Sequence, residues 1–366
     1  MLLKDLYSSE FYAEFTAIAS TALPNFSDQE FVKRIFTEEF KSMELKQRIR
    51  HTAKTLAYFL PTNFQDAAPL LSNLSTSIKQ AIGKNQSFQY IFLADYIQEY
   101  GVNHFDESMK AIETVTQLSS CEFAIRPFLE RYFEETLLQM QQFALHSDVN
   151  VRRFASEGCR PRLPWGLGVP ALKKHPQKIV PILNSLKYDA SEYVRRSVAN
   201  NLNDISKDHK EYFIQTVTEW QKESEHVVDI VRHASRTLLK QGNKEIGTMF
   251  GLKDDVLKLK NWEVLTPEIS VGDSMEFSVE IENPLIEDVN ARIEYVLYFL
   301  LKNGEFGKKV FMISTQTLEA KTTKVISKSH SFKPITTRTY YGGEHKISIQ
   351  INGVESAQKP FRLKMK

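Results

Sequence analysis

Sixteen residues in mid-chain, Val151 to Gly166, concentrate most of the chemistry this sequence offers: Val-Arg-Arg-Phe-Ala-Ser-Glu-Gly-Cys-Arg-Pro-Arg-Leu-Pro-Trp-Gly. Glu157 is a lone acid among Arg152, Arg153, Arg160 and Arg162. An acid embedded in a basic surface points to chemistry more than to binding, because a polyanion-binding face has no use for it. At about 100° per residue Arg153 and Glu157 share a helix flank, so a plain i,i+4 ion pair worth ~0.2–0.5 kcal/mol is the competing role. A helix is expected to end near Gly158, after which Pro161 and Pro164 hold the chain extended. Trp165 then stands between a proline and a glycine, framed for presentation to a ligand, with a core plug as the alternative.

The usual signatures of other chemistries are missing. There is no P-loop, HExxH or GxSxG, and Gly166-Leu-Gly168 is too short for a dinucleotide fingerprint. The nine histidines are scattered, and Cys121 and Cys159 have no zinc-like spacing. Neither a metal nor a cofactor is expected. A magnesium-dependent nuclease would need clustered acids that the sequence does not show.

The elements that position these residues come in two grammars. Up to about Lys244 the pattern is helical. Ser27-x-x-Glu30 reads as a capping box ahead of Phe31, Ile35 and Phe36, and amphipathic runs follow over Leu56–Leu60, Leu70–Ile82, Tyr90–Tyr100 and Phe123–Phe143. Turns such as Pro24-Asn25, Pro61-Thr62 and Gly83-Lys84-Asn85 separate them. A weak repeat is visible: Val151-Arg-Arg-Phe, Val194-Arg-Arg-Ser and Val231-Arg-His-Ala, the arginines 43 and 37 residues apart. That brackets a HEAT-like helix pair. Polar residues lead into each copy: Ser147-Asp148, Asp189-Ala-Ser191-Glu192 and Ser224-Glu225. Stacked copies would align Arg153/Glu157, Arg196/Asn200 and His233/Thr237 along one side of a solenoid, the natural binding surface.

After Gly251 the period changes to two. Met275–Glu282 alternates apolar and polar, and Arg292–Phe299, Val310–Ile313, Lys324–Ser327 and His345–Ile351 continue the run between glycine-containing turns. An immunoglobulin-like β-sandwich without a disulfide is expected. The predicted organisation is therefore a mainly α, HEAT-like helical-repeat domain over 1–250 and a smaller all-β sandwich over 251–366.

Composition bounds the function. Of the 366 residues 42% are hydrophobic and 25% charged, as in a globular protein, and the net charge is only +2. The charge is unevenly spread: Val151–Gly242 holds 16 Lys/Arg against ten acids, a local +6 on a chain otherwise at −4. That is the footprint of a polyanion partner, with an ordinary solvated helix surface as the alternative. No run of about 18 apolar residues spans a membrane and no signal peptide opens the chain, so a cytoplasmic setting is expected and Asn-x-Ser triplets at Asn25, Asn73 and Asn85 carry no message.

The segments VRRFASEGCRPRLPW and YVRRSVANNLNDISKDH resemble the signature of the AlkC family of DNA alkylation repair glycosylases. The likeness covers the helical half, and the β-rich tail resembles the immunoglobulin-like domain many members carry. The resemblance implies excision of N3-methylated bases, chiefly 3-methyladenine and 3-methylcytosine, from double-stranded DNA while the base stays stacked, by a monomer without cofactor. It implies a catalytic group of Glu122, Glu157, Asp204 and Trp165. Two of these have bland readings: Ser119-x-x-Glu122 as a capping box with Arg126 four residues on, and Asp204 as a turn cap. The expected DNA contacts are Arg152, Arg153, Arg160, Arg162, Arg195, Arg196, Arg232 and Arg236, with Asn200 and Asn201 as polar helpers. The rival class is a non-catalytic repeat scaffold that binds peptide or nucleic acid.

Overall fold

The computed structural model describes residues 2–83, 87–223 and 227–365, and the chain divides into two compact units, Met1–Ala234 and Ser235–Lys366. The expected turn at Lys84-Asn85 and the polar lead-in Ser224-Glu225 lie outside the described residues.

The first unit is helical, with no strand among its described residues. Ser8, Ser27, Asn63 and Asp148 each turn a side-chain oxygen onto a backbone N–H of the following helix, satisfying donors that the helix itself leaves unpaired. Only half of the expected capping box forms: Ser27 Oγ accepts from the Glu30 N–H, whereas the Glu30 carboxylate turns to Arg34. Phe31 and Ile35 are buried as expected; Phe36 lies past the helix end and is exposed. The run Phe123–Phe143 is two helices, Arg126–Arg131 and Phe133–Phe143, because Tyr132 (φ −127°, ψ 59°) leaves the helical region between them.

The repeat is real and its arginines divide the labour. Its copies lie on the helices Val149–Gly158, Glu192–Asp208 and Val228–Ala234, the middle one packing on both others. The apolar positions Val151, Phe154, Val194, Val198, Val231 and Ala234 are buried. The first arginine of each pair folds back over its own helix start. Arg152 donates to the carbonyls of His146 and Ser147, and Arg195 to those of Asp189 and Ala190, at the same offsets. Arg152 also forks Asp189 of the next copy at 2.6 and 3.2 Å. Burial opposes ionisation of Asp189, but this fork and the Ser191 N–H hold its carboxyl below the usual range.

The second unit is a sandwich of two sheets. Strands β1 (Lys258–Val264), β3 (Ser274–Glu282) and β6 (Thr323–Ser331) form one, in the order β1-β3-β6. The other runs β2-β9-β7-β4-β5, from β2 (Glu268–Ser270), β4 (Val289–Leu300), β5 (Phe306–Leu318), β7 (Gly343–Ile351) and β9 (Lys359–Lys364), with β8 (Val354–Glu355) paired to β7. Inward-facing Phe277, Tyr295, Phe299, Phe332, Ile347 and Phe361 fill the space between the sheets. Asn352 and Gly353 both have positive φ (47° and 87°), the two-residue turn that matches strand twist in a hairpin. The short helices Arg236–Lys240 and Lys244–Met249 belong to this unit, so the compact units part before Ser235, ahead of the change in sequence period near residue 251. Helical periodicity marks an element and not the core it packs on.

Candidate active site

The site grows from the inner face of Glu192–Asp208. Ser197, Asn201 and Asp204 stand at i, i+4 and i+7, a polar stripe buried against the Val149–Gly158 helix. Each finds a partner on that helix or just past its end. Ser197 Oγ donates to Glu157 at 2.7 Å, Asn201 Nδ2 donates to the Ser156 carbonyl at 2.8 Å, and Asp204 accepts from Arg160 Nε at 2.9 Å. Arg160 also reaches back to Glu157 at 2.6 Å.

The result is an alternating chain of charge. Arg153 joins the carboxylates of Glu122 and Glu157, the latter at 3.5 Å; Arg160 joins Glu157 to Asp204; Lys207 closes the end on Asp204 at 3.1 Å. Burial opposes the charge of Arg153 and of Arg160, but the flanking carboxylates outweigh it and hold both guanidiniums above their ordinary pKa. Glu122, Glu157, Arg153 and Arg160 line a cleft of about 500 Å³, with Trp165 and Tyr193 on its walls. Asp204 is 1% exposed and does not line it.

Trp165 is presented as its sequence frame suggests, but by a different backbone. The segment after Gly158 is not extended; it makes turns at Pro161-Arg162 and at Pro164-Trp165. In the second, the Gly166 N–H reaches the Leu163 carbonyl at 3.2 Å across Pro164 and Trp165, and Trp165 has φ 64°. Proline first and positive φ second is the pattern of a type II turn, where glycine is normal and tryptophan is strained. The residue is 65% exposed. Two cations hold this loop. Lys46 Nζ donates to the Trp165 carbonyl at 2.9 Å, and buried Arg126 donates to the carbonyls of Leu167, Gly158 and Arg160 at 2.8, 3.0 and 2.8 Å. Burial lowers the Arg126 pKa to about 10. Trp165→Gly should therefore leave thermal stability unchanged or raised, since a side chain at positive φ costs ~1–2 kcal/mol that glycine avoids. A drop in melting temperature of more than a few degrees would mean that the ring is a packing element.

Comparison with known proteins follows the same outline. A family model for the C-terminal Ig-like domain of the uncharacterised protein YhaZ matches residues 258–365. The uncharacterized protein YhaZ of Bacillus subtilis (strain 168) is 38% identical over 352 residues, covering 96% of each chain. The structure of Pseudomonas fluorescens alkylpurine DNA glycosylase AlkC, bound to DNA containing an abasic site analog, matches with TM-score 0.92 and 31% identity over 100% of both chains. The chain belongs to the AlkC family.

For this AlkC-family chain the expected site residues sort by burial. Glu122, Glu157 and Trp165 come together in one cleft. Asp204 is no turn cap, because its helix runs on to Asp208, and it touches the cleft only through Arg160. Glu122 is no capping-box residue and does not meet Arg126; it sits in the turn before the Arg126–Arg131 helix and accepts from Ser120 Oγ at 2.8 Å as well as from Arg153. Asn201 is buried within the fold, Arg160 is nearly buried at the cleft wall between Glu157 and Asp204, and Arg152 is spent on Asp189 and loop carbonyls. Arg153 faces the cleft, over the Tyr193 ring at 5.1 Å. Arg196 and Arg232 are exposed, and Arg162 is 40% exposed beside Asp208. Arg195 and Asn200 are half-buried, Asn200 meeting His233 at 3.2 Å, and Arg236 belongs to the second unit. Tyr193, Ser197 and Arg126 were not expected. Ser197 had a signal: it occupies the repeat position where the first copy carries buried Phe154.

Proposed function

We propose that this chain is a DNA glycosylase that hydrolyses the N-glycosidic bond of cationic N3-methylated bases, 3-methyladenine and 3-methylcytosine, in duplex DNA. It acts in the cytoplasm as a monomer, without metal or cofactor, and leaves the base stacked. The observation that carries this reading is the pair of carboxylates, Glu122 and Glu157, held by one arginine on the wall of a cleft that Trp165 borders. Along the chain Glu122, Glu157 and Asp204 are balanced by Arg153, Arg160 and Lys207, so what the wall offers a cation is two positioned carboxylates and not an excess of charge. Such a site favours a sugar becoming an oxocarbenium ion. A cationic base leaves with the bonding electron pair and becomes neutral, so it needs no acid. Water then adds to the sugar carbon and gives its proton to a carboxylate. Among the described residues no group of three or more His, Cys, Asp or Glu is placed to hold a metal, and no helix is long and apolar enough to cross a membrane.

The reading is tested by treating duplex DNA with a methylating agent, adding purified protein and counting abasic sites. Sites should accumulate on methylated and not on untreated duplex; equal counts would reject it. In the same assay Trp165→Gly should excise slowly despite its stable fold.

DNA would be tracked by the outward arginines of the first unit. Among the described residues Arg196 pairs with Glu192 on the same helix face, both largely exposed, an interaction worth ~0.3–0.5 kcal/mol and easily exchanged for a phosphate. Arg196→Ala should weaken binding to every duplex alike and reduce the salt dependence by about one unit of slope. An altered sequence preference with unchanged slope would contradict a phosphate contact. The second unit is assigned an assisting role in DNA binding, with Lys308, Lys309, Lys321, Lys324, Lys328 and Lys333 as its basic residues. Truncation after Ala234 should leave a folded helical unit that excises slowly at low DNA concentration and recovers at saturation. Activity absent at saturating DNA, with the helical circular dichroism intact, would place part of the active site in the second unit.

A further inference from the structure

A second, separate cleft of about 280 Å³ lies beside the carboxylate cleft in the first unit, at the small end of the ~300–1,000 Å³ typical of small-molecule sites. The two share Phe88, Ile91, Phe123 and Trp165. Its other walls include apolar Ile49, Ala94 and Leu167 and charged Lys46, Arg50 and Asp95, and those charges are engaged: Arg50 makes a two-pronged bond to Asp95 at 2.5 and 3.0 Å, and Lys46 donates to the Trp165 carbonyl at 2.9 Å. The half-buried amide of Gln98, which can both donate and accept, supplies the polar rim. Three aromatic rings and an apolar floor dominate, with both cations already paired and the Gln98 amide left over, which suits a phosphate or a sugar less well than a ring. They suit a flat heteroaromatic ring, which stacks by its faces and is read at its edge.

We propose that this cleft is a nucleobase subsite, distinct from the carboxylate cleft. The inference rests on the glycosylase reading for the origin of its ligand. The base has two possible sources: the methylated base after release, or a base neighbouring the lesion in the duplex. In either case Trp165, which borders both clefts and stands on a strained turn pinned by Lys46 and Arg126, separates the sugar from the base.

The test uses full-length protein in which Trp220→Phe and Trp262→Phe leave Trp165 as the sole tryptophan. One arm titrates free 3-methyladenine and adenine and reads quenching of Trp165 fluorescence. The other binds a duplex holding an abasic-site analogue with 2-aminopurine on its 5′ or 3′ side and reads quenching of that base. The subsite requires saturable quenching in one arm, and that arm names the source. Gln98→Phe at the rim, and Ala94→Leu in the floor, should each weaken the effect at least about tenfold, the scale of removing one base–aromatic stack. No saturable quenching in either arm, or quenching unchanged in both filled variants, overturns the subsite. Quenching is read without turnover, so a protein that binds base but excises nothing would reject the glycosylase reading alone. One that excises without quenching would reject the subsite alone.

Discussion

Glu157→Gln should bind DNA normally and excise at least ~10²-fold more slowly under single-turnover conditions, the scale of removing one electrostatic interaction from a transition state. Glutamine keeps the size of the side chain: its one amide oxygen can accept from Arg160, now 2.6 Å from Oε1, while its NH2 can donate to Ser197 Oγ, now 2.7 Å from Oε2. What it removes is one of the two carboxylate charges on the cleft wall, leaving Glu122 alone to face Arg153 and Arg160 there. The site then no longer favours a cationic sugar. Because the substitution also leaves two arginines facing fewer acids, melting temperature and DNA affinity must be measured on the same preparation. A wild-type-like rate in a folded, DNA-binding variant would remove Glu157 from the reaction.

The second large effect is on stability. Arg160 is 8% exposed and bridges Glu157 and Asp204, both buried. Arg160→Met takes from both carboxylates their closest cation, leaving Glu157 with Arg153 and Ser197 and Asp204 with Lys207, and breaking a buried pair in this way costs about 3–5 kcal/mol. In a unit of this size that lowers the melting temperature by roughly 6–20 °C. Adding Asp204→Asn removes one of these two charges, so the double variant should regain more than ~1 kcal/mol of the loss, a coupling expected only of residues in direct contact. Excision should not return with it, because Glu157 still lacks the partner that aims it. Losses that simply add, with no recovery in the double variant, would show that Arg160 and Asp204 act independently.

Much of this was legible in the residues, and the failures have physical causes. The alternation of Met275–Glu282 became β3 because one face of that strand is buried and the other is not. Strand β1 was not visible: Lys-Leu-Lys-Asn-Trp-Glu-Val buries only Trp262, and its register with β3 slips between Leu259 and Asn261. The recurring arginines were readable as a repeat, but their directions were not. Arg152 and Arg195 serve the carbonyls of their own helix starts, which depends on loop backbone that no periodicity encodes. Asp204 and Asn201 were named through the family resemblance and Ser197 was missed, although three polar residues at i, i+4 and i+7 on an otherwise apolar face signal a buried polar network. Arg126 could not be found, because its partners are backbone carbonyls of a loop some 32–41 residues away.

The central claim is that carboxylates held by arginines cut a glycosidic bond without metal. Its most direct measurement is chromatography of the base released from a duplex bearing 3-methyladenine, incubated in EDTA with wild-type protein and with Glu157→Gln in parallel. The wild type should release intact 3-methyladenine and leave an abasic site in an unbroken strand, while the variant releases almost none. No free base from the wild type in EDTA, or equal release by both proteins, would contradict the account.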